Sequence, residues 1–448
     1  MGGAFTAVAD DGSAIFYNPA GISFQKGLRF EMDGFIIKGF FHYFPSSVPP
    51  GTIVPKDGYD GNVSPAIQFL GNLYMSKDLP GTKWTLGFGA YAPFGLGDNW
   101  TSFADGDPRN TKFVGRFAGT RGLIQNIWMQ PTISYRFAKN ASFAVGPALA
   151  YTHLLLESSI LNPQVDGVTF GQQLAPLLLP GVPQDQASAF LARLLPEGRS
   201  RFAGTAISPG ATLGVLWKDS SGNTSLGASY RTPVTYHVKG KASFGFTNDG
   251  TLPAFFTALG APTLTSLFPN QDISASFTTP GTLNLGFATS AYKKTLFSFD
   301  YVFQNYKRFK DIPLNFSKTQ DTATPAELRF NFNFKNTYFI RVGAERHLNE
   351  KTIVRAGYYY DHSGVPDASV SPFFPDLDKH VLCLGLSRQA KNKEFTLFYQ
   401  RTFQPDRTTD VAANANIFTN GTYKVSIHLI GFGFRFNFHG TTIDTRSN

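Results

Sequence analysis

The 448-residue chain has one cysteine, Cys383, so no intrachain disulfide can hold it together. Within Val381-Leu382-Cys383-Leu384-Gly385 that thiol reads as a packed, inert side chain rather than a nucleophile. Charge is also scarce. Asp, Glu, Lys and Arg make up 16% of residues, against about 25% in ordinary globular domains. Long helical apolar runs are missing: the two longest charge-free windows, 250–271 and 273–292, could cross a bilayer by length alone. The first is broken by Pro253, Pro262 and Pro269, and the second alternates polar with apolar residues from Leu283 to Ala288. No basic or apolar leader follows Met1, which opens on Gly2-Gly3-Ala4-Phe5, so any secretory leader is expected to lie outside this sequence. Lys plus Arg exceeds Asp plus Glu by 40 − 31 = 9, but the basic residues do not cluster as in a nucleic-acid arm. A basic surface facing anionic lipid or lipopolysaccharide is the expected partner instead.

Aromatics and glycine are what the chain has in excess. Its 45 Phe, 18 Tyr and 4 Trp amount to 15% of residues, and 44 are Gly. That composition excludes intrinsic disorder and coiled coil. The dominant pattern is period two, as in Ile127-Trp128-Met129-Gln130-Pro131-Thr132-Ile133-Ser134-Tyr135-Arg136-Phe137, where every odd position is apolar. Such runs predict strands near 28–43, 64–77, 82–93, 122–137, 141–157, 202–217, 224–246, 274–291, 294–316, 328–347, 352–362, 378–389, 394–405 and 423–438. Fourteen is an even number, and the spacing leaves room for the roughly 9–11 residues that each membrane-crossing strand needs.

A soluble sandwich would place charge on its outer face. Here one face is Phe, Leu, Ile and Tyr, and the other is Gly, Ser, Asn and Gln with isolated charges such as Arg136, Asp300, Arg341 and Glu345. Aromatics gather at strand ends, as in Phe40 to Phe44 and Tyr358 to Tyr360, like interfacial girdles. Connections alternate between short turns, such as Lys139-Asn140, and long loops. The expected fold is therefore all-β, a transmembrane antiparallel β-barrel of about 14 strands with an N-terminal hatch inside the lumen. In the last strand the apolar residues switch from odd positions (Tyr423 to Leu429) to even ones (Ile430 to Phe438), which predicts a bulge near Leu429-Ile430.

The layout follows: 1–27 hatch, 28–438 barrel with long extracellular loops at 158–201 and 247–273, and 439–448 a polar tail. Both loops carry apolar side chains: Leu174, Leu178, Phe190, Leu191 and Leu194 in one, Phe255, Phe256 and Leu259 in the other. They either pack on the barrel rim or form an exposed greasy groove for a lipid-like ligand. The first residues, rich in small side chains and including Asp10-Asp11, make a poor membrane strand but a good plug.

The run Gly2-Gly3-Ala4, Ala9-Asp10-Asp11 and Tyr17-Asn18-Pro19-Ala20-Gly21 resembles the N-terminal hatch of the FadL/TodX family of outer-membrane transporters for long-chain fatty acids and hydrocarbons. Tyr91-Ala92-Pro93-Phe94-Gly95-Leu96, Val114-Gly115-Arg116-Phe117 and Tyr230-Arg231-Thr232-Pro233-Val234 are further matches, and the resemblance covers essentially the whole chain. It implies a monomeric bacterial outer-membrane channel without cofactor or metal. Hatch and gating then fall to Asp10, Asp11, Asn18, Pro19 and Ala20, and a lateral opening to Ala92, Pro93, Phe94 and Gly95. It also implies a loop groove, a deeper apolar pocket, and hatch residues preceding Met1. Arg308 and Lys310 are the candidates for a head group. The expected ligand is a hydrophobic small molecule, with fatty acids preferred over neutral hydrocarbons and detergent a substitute for either. The competing classes are a lipid-modifying enzyme and an adhesin. No Gly-x-Ser-x-Gly elbow or His-Glu-x-x-His is present, and an adhesin does not explain the hatch.

Overall fold

A computed structural model of the chain describes residues 1–46, 61–62, 67–100, 114–160, 181–183, 186–187, 198–246, 260, 262–292, 294–373, 375–410, 412 and 418–438. Its strands form fourteen antiparallel staves. They are β1 (Leu28–Pro45), β2 (Ile67–Asp78), β3 (Trp84–Tyr91, then Gly95–Asn99), β4 (Arg121–Ala138), β5 (Ala141–Ile160) and β6 (Gly198–Lys218). Next come β7 (Thr224–Arg231, then Val234–Phe246), β8 (Gln271–Thr279, then Thr282–Tyr292), β9 (Thr295–Gln304, continued by Asp311–Phe316) and β10 (Glu327–Asn331, continued by Thr337–Asn349). The last four are β11 (Thr352–Asp361), β12 (Lys379–Ala390), β13 (Lys393–Phe403) and β14 (Gly421–Asn437). The barrel closes where β1 meets β14, from Arg29 opposite Asn437 to Pro45 opposite Gly421.

The wall is apolar outside and polar inside, the reverse of a soluble protein. Along β4, Met129 and Ile133 face outward, 49% and 43% exposed, whereas Gln130 and Ser134 are fully buried in the lumen. Only lipid tolerates such a surface, and pairing of the first stave with the last leaves no free edge strand at the ends of the sheet. Short turns such as Lys139-Asn140 share one rim with both barrel termini, which marks that rim as the periplasmic one.

The expected bulge in β14 is absent. Pairing with β1 runs without a slip through Leu429 and Ile430, and pairing with β13 does the same. Odd positions point inward throughout. Near the extracellular end those are Tyr423 and Val425, which fill the lumen, with Tyr423 4.8 Å from Tyr43 and 6.5 Å from Trp100 between ring centroids. Farther down they are Gly431, Gly433 and Arg435, while Ile430 and Phe432 face lipid. The strand rises beyond the bilayer, so the outer face turns polar (Lys424) while the inner face turns apolar.

Four staves predicted as continuous are broken, β7 at 232–233, β8 at 280–281, β9 at 305–310 and β10 at 332–336, and β3, expected to end at 93, breaks at 92–94 and resumes as Gly95–Asn99. Pro93, Pro233 and Pro280 lie in three of these breaks, where a residue without an N–H cannot continue the ladder.

Candidate functional site

Residues 1–27 are threaded through the lumen and are fixed to the wall by buried polar contacts. The Asp300 carboxylate on β9 accepts from the Phe5 and Thr6 N–H groups at 2.9 Å and from the Thr6 hydroxyl at 2.7 Å. Asn18 donates from its side-chain amide to the Thr6 and Val215 carbonyls, both at 2.9 Å, and its side-chain oxygen accepts from Ala20 N–H at 3.2 Å. Pro19 opens a 3-10 turn, Pro19–Phe24, and the Ala20 carbonyl accepts from the Ser142 hydroxyl at 2.8 Å. Such close seating needs wall positions without side chains: a Cβ at Gly214 would stand 2.3 Å from Asn18 Oδ1, and one at Gly227 2.3 Å from the Thr6 carbonyl.

Nearer the periplasmic rim, Arg435 bridges Asp11 at 2.6 Å, Glu31 at 3.1 Å and Glu394 at 3.2 Å. Glu394 also pairs with Arg355 at 3.2 Å, and Arg355 pairs with Glu345 at 2.7 Å. These partners are mutually buried, so removing one would strand the others' charge at a cost of about 3–5 kcal/mol. Of the expected N-terminal residues, Asp11, Asn18, Pro19 and Ala20 all meet the wall in this way, and Asp10 sits beside them, half-buried. Asp300 and Arg435 are the wall residues that complete these contacts, and no local sequence signal ties either to residues 1–27.

Above the N-terminal segment lies an aromatic interior. Phe16 stacks edge-on against Tyr91 at 5.2 Å, and Tyr91 lies 6.4 Å from Trp128. Higher up, Phe94 neighbours Tyr306 at 6.3 Å, Tyr306 neighbours Phe334 at 6.0 Å, and Phe309 lies 5.2 Å from Phe334 and 5.9 Å from Phe277. Toward the extracellular end the connection after β11 meets the residue that follows β3: the Pro372 carbonyl accepts from the Trp100 indole N–H at 2.7 Å.

Beside this interior the wall is incomplete. Leu73 to Asp78 of β2 pair with Thr85 to Ala90 of β3, but after the break at 92–94 the upper half of β3, Gly95–Asn99, pairs only with β4. Residues 67–72 of β2 therefore have no ladder partner on that side among the described residues, and the Asn72 side-chain oxygen, accepting from Ala92 N–H at 3.4 Å, marks the lower edge of the gap. A Cβ at Gly95 would meet nothing nearer than the Ile124 carbonyl at 3.9 Å, and the side chain that approaches from across the gap is Gln68, 3.2 Å from a Cβ at Gly97. A second interruption, between β6 and β7 at 206–210, is backed by tight packing: a Cβ at Gly210 would stand 2.8 Å from Trp128 and 3.0 Å from Val234. Ala92, Pro93, Phe94 and Gly95 thus lie together at the open break, with Phe94 reaching into the aromatic interior.

Arg308 and Lys310 are both exposed, and Phe309 between them is the residue that turns inward. The loop residues Leu174, Leu178, Phe190, Leu191, Leu194, Phe255, Phe256 and Leu259 lie outside the described residues. A groove of about 530 Å³ over β10 to β13 is lined by Ala356, Leu384, Leu386 and Leu397 on the lipid face, away from the lumen.

The fold is similar to that of a Pseudomonas aeruginosa FadL homologue, with a TM-score of 0.77 over 97% of this chain and 96% of that one at 17% identity. The Pseudomonas putida toluene transporter TodX aligns with a TM-score of 0.67 over 96% and 94% at 18% identity. A putative outer membrane protein of Neisseria meningitidis serogroup B is 25% identical over 369 residues, 82% of this chain and 74% of that protein. Residues 1–438 match the family described as outer membrane protein transport protein (OMPP1/FadL/TodX), and the chain belongs to that family of bacterial outer-membrane barrels.

Proposed function

We propose that this barrel is a passive channel through which hydrophobic molecules, foremost long-chain fatty acids, enter through the extracellular loops, pass the aromatic interior and leave sideways into the membrane between β2 and β3. The observation that carries the reading is the stretch 67–72, without a ladder partner on that side among the described residues, facing the break at Pro93 directly beside Phe94. An apolar tail gains about 0.8 kcal/mol per methylene on entering lipid, so exit through the wall is preferred to exit into water. Residues 1–27 act as a hatch that keeps the periplasmic end shut, held by Asp300, Asn18 and the Arg435 cluster. The protein works as a monomer surrounded by lipid and lipopolysaccharide.

A neutral aromatic hydrocarbon is the second reading, favoured by the ring-lined interior and by similarity to a toluene transporter. Mass spectrometry of ligands extracted from the purified protein, followed by uptake of palmitate and of an alkylbenzene, separates the two. Palmitate uptake well above that of barrel-free membranes is expected. Alkylbenzene uptake alone would reassign the substrate, and uptake of neither would end the transport reading.

A further inference from the structure

We propose that an outward-facing row of Lys38, His428 and Arg401, at the extracellular edge of the membrane, is a binding site for the phosphates of lipopolysaccharide, the phosphorylated glycolipid of the outer leaflet. The inference rests on the orientation of the barrel and not on the uptake reading. The three residues stand side by side on β1, β14 and β13, with Lys38 opposite His428 and His428 opposite Arg401. Below them the same outer faces carry large apolar side chains: Met32 and Ile36 on β1, Ile430 and Phe432 on β14, Phe395 and Leu397 on β13. Three neighbouring staves thus turn from apolar to basic at one rung of the ladder. Its height fits the outer interface. From Phe30, paired with Phe436 near the periplasmic rim, to Lys38 is eight residues. At the usual strand rise and tilt that is about 20 Å along the membrane normal, close to the top of an apolar band of about 25 Å.

The row carries cations that no carboxylate answers. Lys38 is exposed and lies over the Phe40 ring at 5.1 Å. Arg401 donates to the His428 ring and lies over the Phe403 ring at 5.2 Å, and the Tyr399 hydroxyl meets His428 Nδ1 at 2.8 Å. Neither Lys38 nor Arg401 has a carboxylate within ion-pair reach among the described residues. The acidic groups on the nearby connections are engaged elsewhere: Asp406 pairs with Lys424 at 2.7 Å, and Asp378 accepts from the Tyr360 hydroxyl at 2.7 Å and lies 3.1 Å from His362 Nδ1. Two strand spacings separate Lys38 from Arg401, about 10 Å. Phosphate supplies the charge that is missing, taken by the guanidinium fork at one end of the row and by the ammonium at the other. Hydrocarbon directly below the row limits screening of these contacts. The acyl chains of the same lipid would lie along Ile36, Ile430 and Leu397 beneath it.

The test uses the full chain in detergent and compares, by native mass spectrometry, retention of lipid A bearing both phosphates with retention of dephosphorylated lipid A. Wild type is expected to prefer the phosphorylated form. The double variant Lys38→Gln, Arg401→Gln should reduce that preference on the order of 10- to 100-fold, the range expected for a hydrogen bond between charged groups. Arg388→Gln, on the outer face of β12 near the periplasmic rim, should leave it unmoved. A folded double variant with the wild-type preference overturns the proposal, as does a wild type that retains both forms equally or an Arg388→Gln protein that loses as much as the double variant. Displacement of lipid A by an equal concentration of phosphatidylglycerol also overturns it, because the row would then be a contact for any anionic lipid. Should the double variant fail to fold, Lys38→Gln alone, at an exposed position, decides by the same ratio. Palmitate binding should not change in any of these variants, so failure here leaves the uptake reading standing.

Discussion

Polar dye should flood through the barrel when Asn18 and Asp300 are both replaced by alanine. Asp300 accepts three hydrogen bonds from Phe5 and Thr6, and Asn18 makes three with Thr6, Val215 and Ala20. At a net value of about 1 kcal/mol each, losing only half of them shifts the closed-to-open balance by about 3 kcal/mol, on the order of 100-fold. The barrel itself is held by its ladder and should fold as before. Its heat-dependent gel mobility, a consequence of slow unfolding of a closed sheet, checks this. Dye entry at the wild-type rate in a normally folded double variant would remove the gating role of residues 1–27.

Filling the wall gap should have an effect of the opposite kind. Gly95→Trp places an indole where a Cβ now meets nothing within 3.9 Å, between the upper half of β3 and the residues of β2 without a ladder partner on that side among the described residues. Uptake of palmitate should fall by about tenfold or more, because the apolar exit is closed and the alternative is transfer into water at about 0.8 kcal/mol per methylene. Ligand binding in detergent should persist, since the aromatic interior is intact. Pro93→Trp is expected to act the same way. Undiminished uptake by a folded Gly95→Trp protein would favour an axial channel.

Much of the wall could be read from alternation alone: β4 is expected at 122–137 and found at Arg121–Ala138. The error in β14 is informative. Period two records which residues share a face, but it does not record where the membrane ends, so an apolar face that moves from lumen to lipid looks like a bulge. The breaks in β7 and β8 carry a local signal in Pro233 and Pro280 that a count of strands smooths over. The cluster around Arg435 was beyond reach because Asp11, Glu31, Glu394 and Arg435 are brought together only by closing the barrel. Arg308 and Lys310 show the converse, since a basic pair beside aromatics does not reveal which side of the wall it faces.

The lateral route is tested most directly by where a ligand touches the protein. A palmitate analogue with a photoreactive diazirine at the tail end, irradiated during uptake and mapped by mass spectrometry, should label residues 67–72 and 92–97 together with the Phe94, Tyr306 and Phe309 interior. Label confined to the lumen below the hatch, around Asp11 and Arg435, with none on either side of the β2–β3 gap, would contradict it.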